Sequence, residues 1–198
     1  MKIVIISGTP GTGKTTVSKE ISRKIKAKII SLNEIVIQKD LYVKFDSNRE
    51  TFVINEDRLI AYVLKLIKNY ASEKIDFVLI EGHFSDIIPN DFINNVIVLR
   101  CHPDELLRRL KIKGYNERKI IENVQSEILG NCVNYFINKN INIPLLEIDT
   151  TSITIKSLVR IMIELITEEK NIDQYYIGRI DWLEDLFQQN RLNEFFNC

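Results

Sequence analysis

Apolar residues along this chain follow two rhythms. Five short segments, Lys2–Ser7, Lys28–Ser31, Asp76–Glu81, Val96–Arg100 and Leu145–Asp149, are apolar at successive positions, as in Ile3-Val4-Ile5-Ile6 and Phe77-Val78-Leu79-Ile80. Unbroken runs of this length predict strands covered on both faces, the signature of a parallel sheet. Between them lie amphipathic stretches that predict helices over roughly Lys14–Lys26, Glu56–Ser72, Asp104–Lys111, Glu117–Asn138 and Thr154–Glu168. Asn55 before Glu56-Asp57, and Pro103 followed by Asp104-Glu105, mark helix starts, because acidic side chains complement the positive end of a helix. Strand–helix alternation of this kind predicts a doubly wound α/β fold.

Size and charge narrow the class. With 198 residues the chain fits one domain, or one domain with an appendage, and can bury a core without disulfides or structural metal. No apolar run approaches the roughly 18–20 residues that cross a bilayer, and Met1–Ser7 is too short for a signal peptide. Three scattered cysteines, Cys101, Cys132 and Cys198, without a CxxC pair, predict reduced thiols in a cytosol-like compartment. Lys+Arg and Asp+Glu both number 27, which excludes a uniformly basic nucleic-acid coat and an acidic tail-protein. Neutrality is nevertheless a sum of opposed regions. Residues 1–30 carry seven basic and one acidic side chain, 100–119 seven and three, and 164–198 three and eight.

The first basic region holds the strongest motif. Gly8-Thr9-Pro10-Gly11-Thr12-Gly13-Lys14-Thr15-Thr16 fits G-x-x-x-x-G-K-[ST] between a predicted strand and a predicted helix. Glycines let the backbone curl so that N–H groups cradle phosphate oxygens, and the helix N-terminus adds positive potential. Gly11, Thr12, Gly13, Lys14, Thr15 and Thr16 are therefore candidate nucleotide-binding residues. Lys14 is placed to bridge the β- and γ-phosphates of ATP, and the Thr15 hydroxyl to ligate Mg2+.

A second element closes the third apolar run, at Glu81-Gly82-His83. A carboxylate at the end of a neighbouring strand orients Mg2+ in P-loop enzymes, which makes Glu81 a candidate metal residue. His83, two positions on, is a candidate catalytic residue as acid/base or water-orienting group, or else a capping or core histidine. His102, before Pro103, suits the start of a helix. Arg100 ends the fourth run, and Arg108, Arg109, Lys111 and Lys113 follow it. Phosphoryl transfer spreads negative charge over equatorial oxygens, so Arg100, Arg109 and Lys113 are candidates for neutralising it, the last two beside a lid hinge at Gly114.

Several stretches together resemble one family. The spelling of residues 8–16, Ile54-Asn55-Glu56-Asp57-Arg58-Leu59, the x-His element after the third strand, and Val98-Leu99-Arg100 through Lys113-Gly114-Tyr115-Asn116-Glu117-Arg118-Lys119 to Asn123–Ile128 are similar to the adenylate kinase 6 family, also called coilin-interacting nuclear ATPase, with its archaeal relatives. The match spans roughly residues 1–130. It implies a P-loop NTPase fold with a five-stranded parallel sheet, a kinase domain over 1–170, an acceptor-nucleotide segment over 31–54, a short lid over 112–122 and a C-terminal helical extension over 171–198. It further implies Mg2+-dependent transfer from ATP to AMP or a related nucleoside monophosphate, alongside ATPase activity, in the cytoplasm, or also the nucleus in a eukaryote. The family is linked to small ribosomal subunit maturation through a platform protein, and so to pre-ribosomal RNA only indirectly.

Three positions depart from the family pattern. Asp-x-His reads Glu81-Gly82-His83, the arginine before the lid glycine is Lys113, and Ile37 stands where the acceptor site has an arginine. The acceptor side thus departs further than the ATP side. Two alternatives to a nucleoside monophosphate kinase stay open: an ATP-gated assembly factor that binds the platform protein with only residual kinase activity, and a small-metabolite kinase of shikimate or gluconate type. The acidic, aromatic-rich stretch from Gly178 to Phe187, with Phe195-Phe196, is either a helix docked on its own domain or a surface for a basic partner.

Overall fold

The computed structural model describes residues 1–47, 49–168 and 172–196. The expected domain boundary at 170/171 and Cys198 lie outside these residues. In chain order the elements are β1 (Lys2–Ser7), α1 (Lys14–Ile25), β2 (Lys28–Ser31), α2 (Leu32–Gln38), β3 (Tyr42–Asp46), β4 (Thr51–Ile54), α3 (Glu56–Ser72) and β5 (Phe77–Glu81). They continue with β6 (Asn95–Arg100), α4 (Pro103–Ile112), α5 (Glu117–Ile128), α6 (Asn131–Asn138), β7 (Leu145–Asp149), α7 (Ile155–Thr167) and α8 (Trp182–Gln188).

The five expected strands form one parallel sheet in the order β2-β5-β1-β6-β7. Its unbroken apolar runs have a direct cause. Alternate residues point to opposite faces, and both faces are covered. Ile3, Ile5, Val78 and Ile80 pack with Leu59 and Val63 of α3 and Phe136 of α6. Val4, Ile6, Leu79 and Ile97 pack with Val17 and Ile21 of α1 and Leu158 and Met162 of α7.

Local caps explain several boundaries. The Asn55 side chain accepts a hydrogen bond from Arg58 N–H and starts α3, and His102 Nδ1 accepts from Asp104 N–H and starts α4. The helix expected over 117–138 is two helices. The chain breaks at Gly130, whose φ of +64° is left-handed, and there the backbone carbonyl of Glu127 accepts a hydrogen bond from the buried Arg100 guanidinium (3.1 Å). Residues 31–54, expected only as an acceptor segment, form α2 and a β3–β4 antiparallel hairpin with Phe45 opposite Phe52.

The C-terminal segment is docked rather than free. Leu186 and Phe195 are buried with Leu106 and Leu110 of α4 and Ile120, Val124 and Ile128 of α5. Arg191 reaches Asp104 at 2.8 and 3.0 Å, and Gln125 Nε2 donates to the Phe195 carbonyl at 2.7 Å. The exposed Arg191 pair is worth little by itself, so the apolar burial holds the segment. Cys101 and Cys132 are buried free thiols, and burial pushes Cys101 up to about 12. Among the described residues no helix is long and apolar enough to cross a membrane. Because Leu186 is fully buried, Leu186→Ala is expected to lower stability by about 2–4 kcal/mol, read as a reduced urea midpoint with the native fold retained. An unchanged midpoint would mean that the segment adds nothing to the domain.

Candidate active site

The site grows from the C-terminal ends of β1, β5 and β2, adjacent in the sheet, where ligands gather in open α/β folds. Gly8 follows β1 with φ +136°, and a Cβ there would stand 2.4 Å from the Leu99 carbonyl oxygen. Only glycine lets the loop pass so close to β6. Thr12 then donates from N–H and Oγ1 to the Thr9 carbonyl (3.2 and 2.9 Å), closing the loop on itself. No side chain caps the N-terminus of α1, which leaves its first amides available to an anion.

Lys14 is buried, and its Nζ donates to the carbonyls of Gly8 (2.6 Å) and Thr9 (3.1 Å). Burial lowers its pKa, while Cys132, Glu81 and Glu127 oppose that shift. Phosphate oxygens would offer the ammonium stronger acceptors than these neutral carbonyls.

Register brings the next group together. Glu81 lies opposite Ile6 of β1 and opposite Ser31 of β2. Its buried carboxylate accepts from Thr15 Oγ1 with both oxygens (3.1 Å each) and from Ser31 Oγ (2.6 Å). A threonine hydroxyl beside a carboxylate is the all-oxygen donor set that suits Mg2+, which takes one or two protein carboxylates together with substrate phosphates and water. His83 extends from the same strand end. Its Nδ1 is buried with no hydrogen-bond partner among the described residues, and its ring meets Phe84 edge-on at 4.7 Å. Burial, with Lys14 and Lys119 nearby, lowers its pKa to about 4, so the imidazole is neutral at pH 7.

These groups open on one cavity of about 980 Å3. Gly11, Gly13, Lys14, Thr15, Thr16, Glu81 and His83 line one side, and Lys113–Asn116 with Lys119 and Asn123 line another. Asn33, Val36 and Ile37 of α2, with the hairpin residues 49–54, complete the wall. The last two regions touch. Lys119 Nζ donates to the carbonyls of Arg49 (2.9 Å) and Glu50 (3.1 Å), and Asn116 Nδ2 donates to the Glu50 carboxylate. A space at the large end of the usual ligand-site range is thereby roofed by two chain segments.

Two expected charge-neutralising residues are elsewhere. Arg100 does not line the cavity; it is buried at the end of β6, where its guanidinium is taken up by Glu127 (2.8 Å) and Glu147 (3.2 Å). Arg109 also does not line it, because Glu105 and the carbonyls of Thr150 and Thr151 hold its guanidinium. Lys113 does line it. Thr12 is buried beneath the loop and shapes it from within. Ser31, Arg49 and Asn33 were missed, since serine, arginine and asparagine in an unpatterned segment carry no signal until the sheet order sets Ser31 beside Glu81 and the fold brings Arg49 and Asn33 to the cavity wall. Asn116, Lys119 and Asn123 stood within the family-like stretch without an assigned role.

Fold and site together define a P-loop protein of kinase architecture. Solved structures with the same fold include a shikimate kinase from Acinetobacter baumannii in complex with shikimate (TM-score 0.56, 15% identity, 86% of this chain and 96% of that one). Another is a deoxyadenosine kinase from M. mycoides with bound dATP (TM-score 0.50, 16% identity, 82% and 97%). The profile of a family described as an AAA domain matches residues 4–130. A protein of Methanocaldococcus jannaschii named "Putative adenylate kinase" is 34% identical over 184 residues, 93% of this chain and 94% of its own. One of the same name from Saccharolobus solfataricus is 30% identical over 192 residues, 97% and 93%. The chain belongs to the family of these archaeal proteins, in agreement with the resemblance drawn from residues 1–130.

The depressed pKa of His83 has a signed consequence. Between about pH 4 and the ordinary histidine value of 6.5, the unfolded chain binds a proton at this position that the folded chain refuses, so stability falls as pH falls. From pH 7 to pH 5 the wild type is expected to lose on the order of 2 kcal/mol more stability than His83→Gln, measured by urea unfolding at both values. Equal losses would place the imidazole in a water-accessible setting.

Proposed function

We propose that this protein is a nucleoside monophosphate kinase that transfers the γ-phosphate of ATP to AMP or a related acceptor. The observation that carries the reading is the cavity shared by the P-loop, the α2–hairpin wall and the segment over 112–122, with room for donor and acceptor side by side. Names of the archaeal relatives support the same reading.

In this reading the loop amides and Lys14 hold the β- and γ-phosphates, and Thr15 and Glu81 hold Mg2+, which supplies charge neutralisation at the phosphates when bound. An oxygen of the acceptor phosphate attacks the γ-phosphorus, the bond to the β–γ bridging oxygen breaks, and two ADP result. Neutral His83 accepts or donates a hydrogen bond beside the reacting phosphate and orients the acceptor, or a water when hydrolysis replaces transfer. Lys113 brings positive charge from the lid. Residues 31–54 form the acceptor wall, where Asn33, Phe52 and Ile54, joined by Phe84 from beyond β5, offer a largely apolar surface with one amide for a nucleobase.

A second reading is an ATP-gated assembly factor for the small ribosomal subunit with residual transfer activity. One observation favours it: Ile37, 55% exposed on the cavity wall, gives an acceptor phosphate no charge. The test is ADP formation from ATP with and without AMP. Transfer should exceed hydrolysis in the wild type. Lys14→Ala should reduce both by about 100-fold or more, and His83→Ala by about 10- to 100-fold without unfolding. ADP formation that ignores AMP at every concentration would remove the kinase reading and leave hydrolysis.

A further inference from the structure

A chain of buried polar groups runs from the phosphate loop to the C-terminal segment. Thr9 Oγ1 donates to Glu127 Oε2 at 2.5 Å. The other oxygen of Glu127 accepts from Arg100 Nε (2.8 Å) and from Cys101 N–H (3.1 Å). Arg100 Nη1 donates to Glu147 Oε2 (3.2 Å), and Glu147 Oε1 accepts the backbone N–H groups of Arg179 (2.9 Å) and Ile180 (3.0 Å). Thr9, Arg100, Glu127 and Glu147 are each exposed by 4% or less. The string is therefore shielded from competing water from Thr9 to Glu147.

Nothing in phosphate binding itself demands this threonine. Thr9 occupies a free position of the motif and does not line the cavity. Its carbonyl, however, accepts from Lys14 Nζ, Thr12 N–H and Thr12 Oγ1. Whatever fixes Thr9 fixes the acceptor that parks Lys14 and the turn that aims the amides. Glu127 does so from α5, the helix whose first turns also carry Lys119 and Asn123 into the cavity wall. Loop and wall are thus tied to one carboxylate, and that carboxylate is tied through Arg100 to a segment more than fifty residues further on.

We propose that Glu127 is a positioning residue for the phosphate loop, acting through Thr9, and that its hold depends through Arg100 and Glu147 on the seating of residues 179–180. This rests on the reading that the loop binds a nucleoside triphosphate. Removing the hydroxyl leaves Glu127 paired with Arg100 and the fold standing, but frees the loop to sample other shapes, so affinity falls.

The experiment is titration of MgATP into the full-length wild type, Thr9→Val, Thr9→Ser and Glu147→Gln, each held well below its unfolding temperature, with amide exchange followed at residues 179–180. Thr9→Val should weaken binding about tenfold and Thr9→Ser, which keeps the donor, should stay within about twofold of wild type. Glu147→Gln should speed exchange at 179–180 and weaken MgATP by about threefold. A wild type that does not bind MgATP overturns the functional reading. A wild type that binds, with Thr9→Val equally tight, overturns this inference alone. So does a Glu147→Gln protein with a loosened segment and unchanged affinity, which keeps the test decisive if Thr9→Val does not fold.

Discussion

The Arg100 guanidinium, buried between Glu127 and Glu147, is the interaction on which most of the structure leans. Removing three charges from water is expensive, and it is tolerated only because nearly every lone pair and proton finds a partner. Those partners are distributed widely: the loop through Thr9, the start of the α4 connection through Cys101 N–H, the end of α5 through the Glu127 carbonyl, and the C-terminal segment through two amides. Breaking any one leaves a buried charge short of a partner, so the arrangement specifies one packing of these elements. The break between α5 and α6 and the seating of residues 179–180, just before α8, are two places where it acts, while the docking of α8 itself rests on apolar burial.

The nucleotide end obeys a simpler constraint. In a parallel sheet all C-terminal strand ends lie along one edge, and the order β2-β5-β1 places Ser31, Glu81 and the phosphate loop next to each other there. Glutamate in place of aspartate reaches far enough for both its oxygens to meet the Thr15 hydroxyl, while Ser31 steadies the longer side chain. The Thr15–Glu81 contact thus forms despite the altered spelling. Around the cavity, Ile37 offers no charge, whereas Arg49 of the hairpin, Lys113 and Lys119 bring basic groups to its lining.

Local chemistry was legible where it was self-sufficient. Ile3-Val4-Ile5-Ile6 declares a doubly covered strand, Asn55 caps α3 by its own side chain, and the loop from Gly8 to Thr15 is declared by its spelling, with Thr12 and Lys14 closing it on the nearby carbonyls of Thr9 and Gly8. Arg100 shows the opposite case. As sequence it is one more cation in a basic stretch after a strand, equally suited to phosphate. Its partners lie 27 and 47 residues away, and no spacing rule connects them. The placement of Arg109 was hidden for the same reason, its carbonyl partners being contributed by Thr150 and Thr151. The hairpin over 42–54 was also hidden, since its short strands carry Lys44 and exposed Val43 and Phe45 and depend on cross-strand pairing for their form.

The sequence by itself determined the α/β class, the five strands, the phosphate loop and the candidate roles of Lys14, Thr15 and Glu81. These depend on contacts within a few residues or on a period that one strand or helix expresses alone. Only the tertiary structure decided that Ser31 supports Glu81, that Arg100 is buried between Glu127 and Glu147 away from the cavity, and that the acidic C-terminal stretch lies on α4 and α5. Each of those outcomes depends on which buried group finds which distant partner, a choice made by burial and strand order after the local elements have formed.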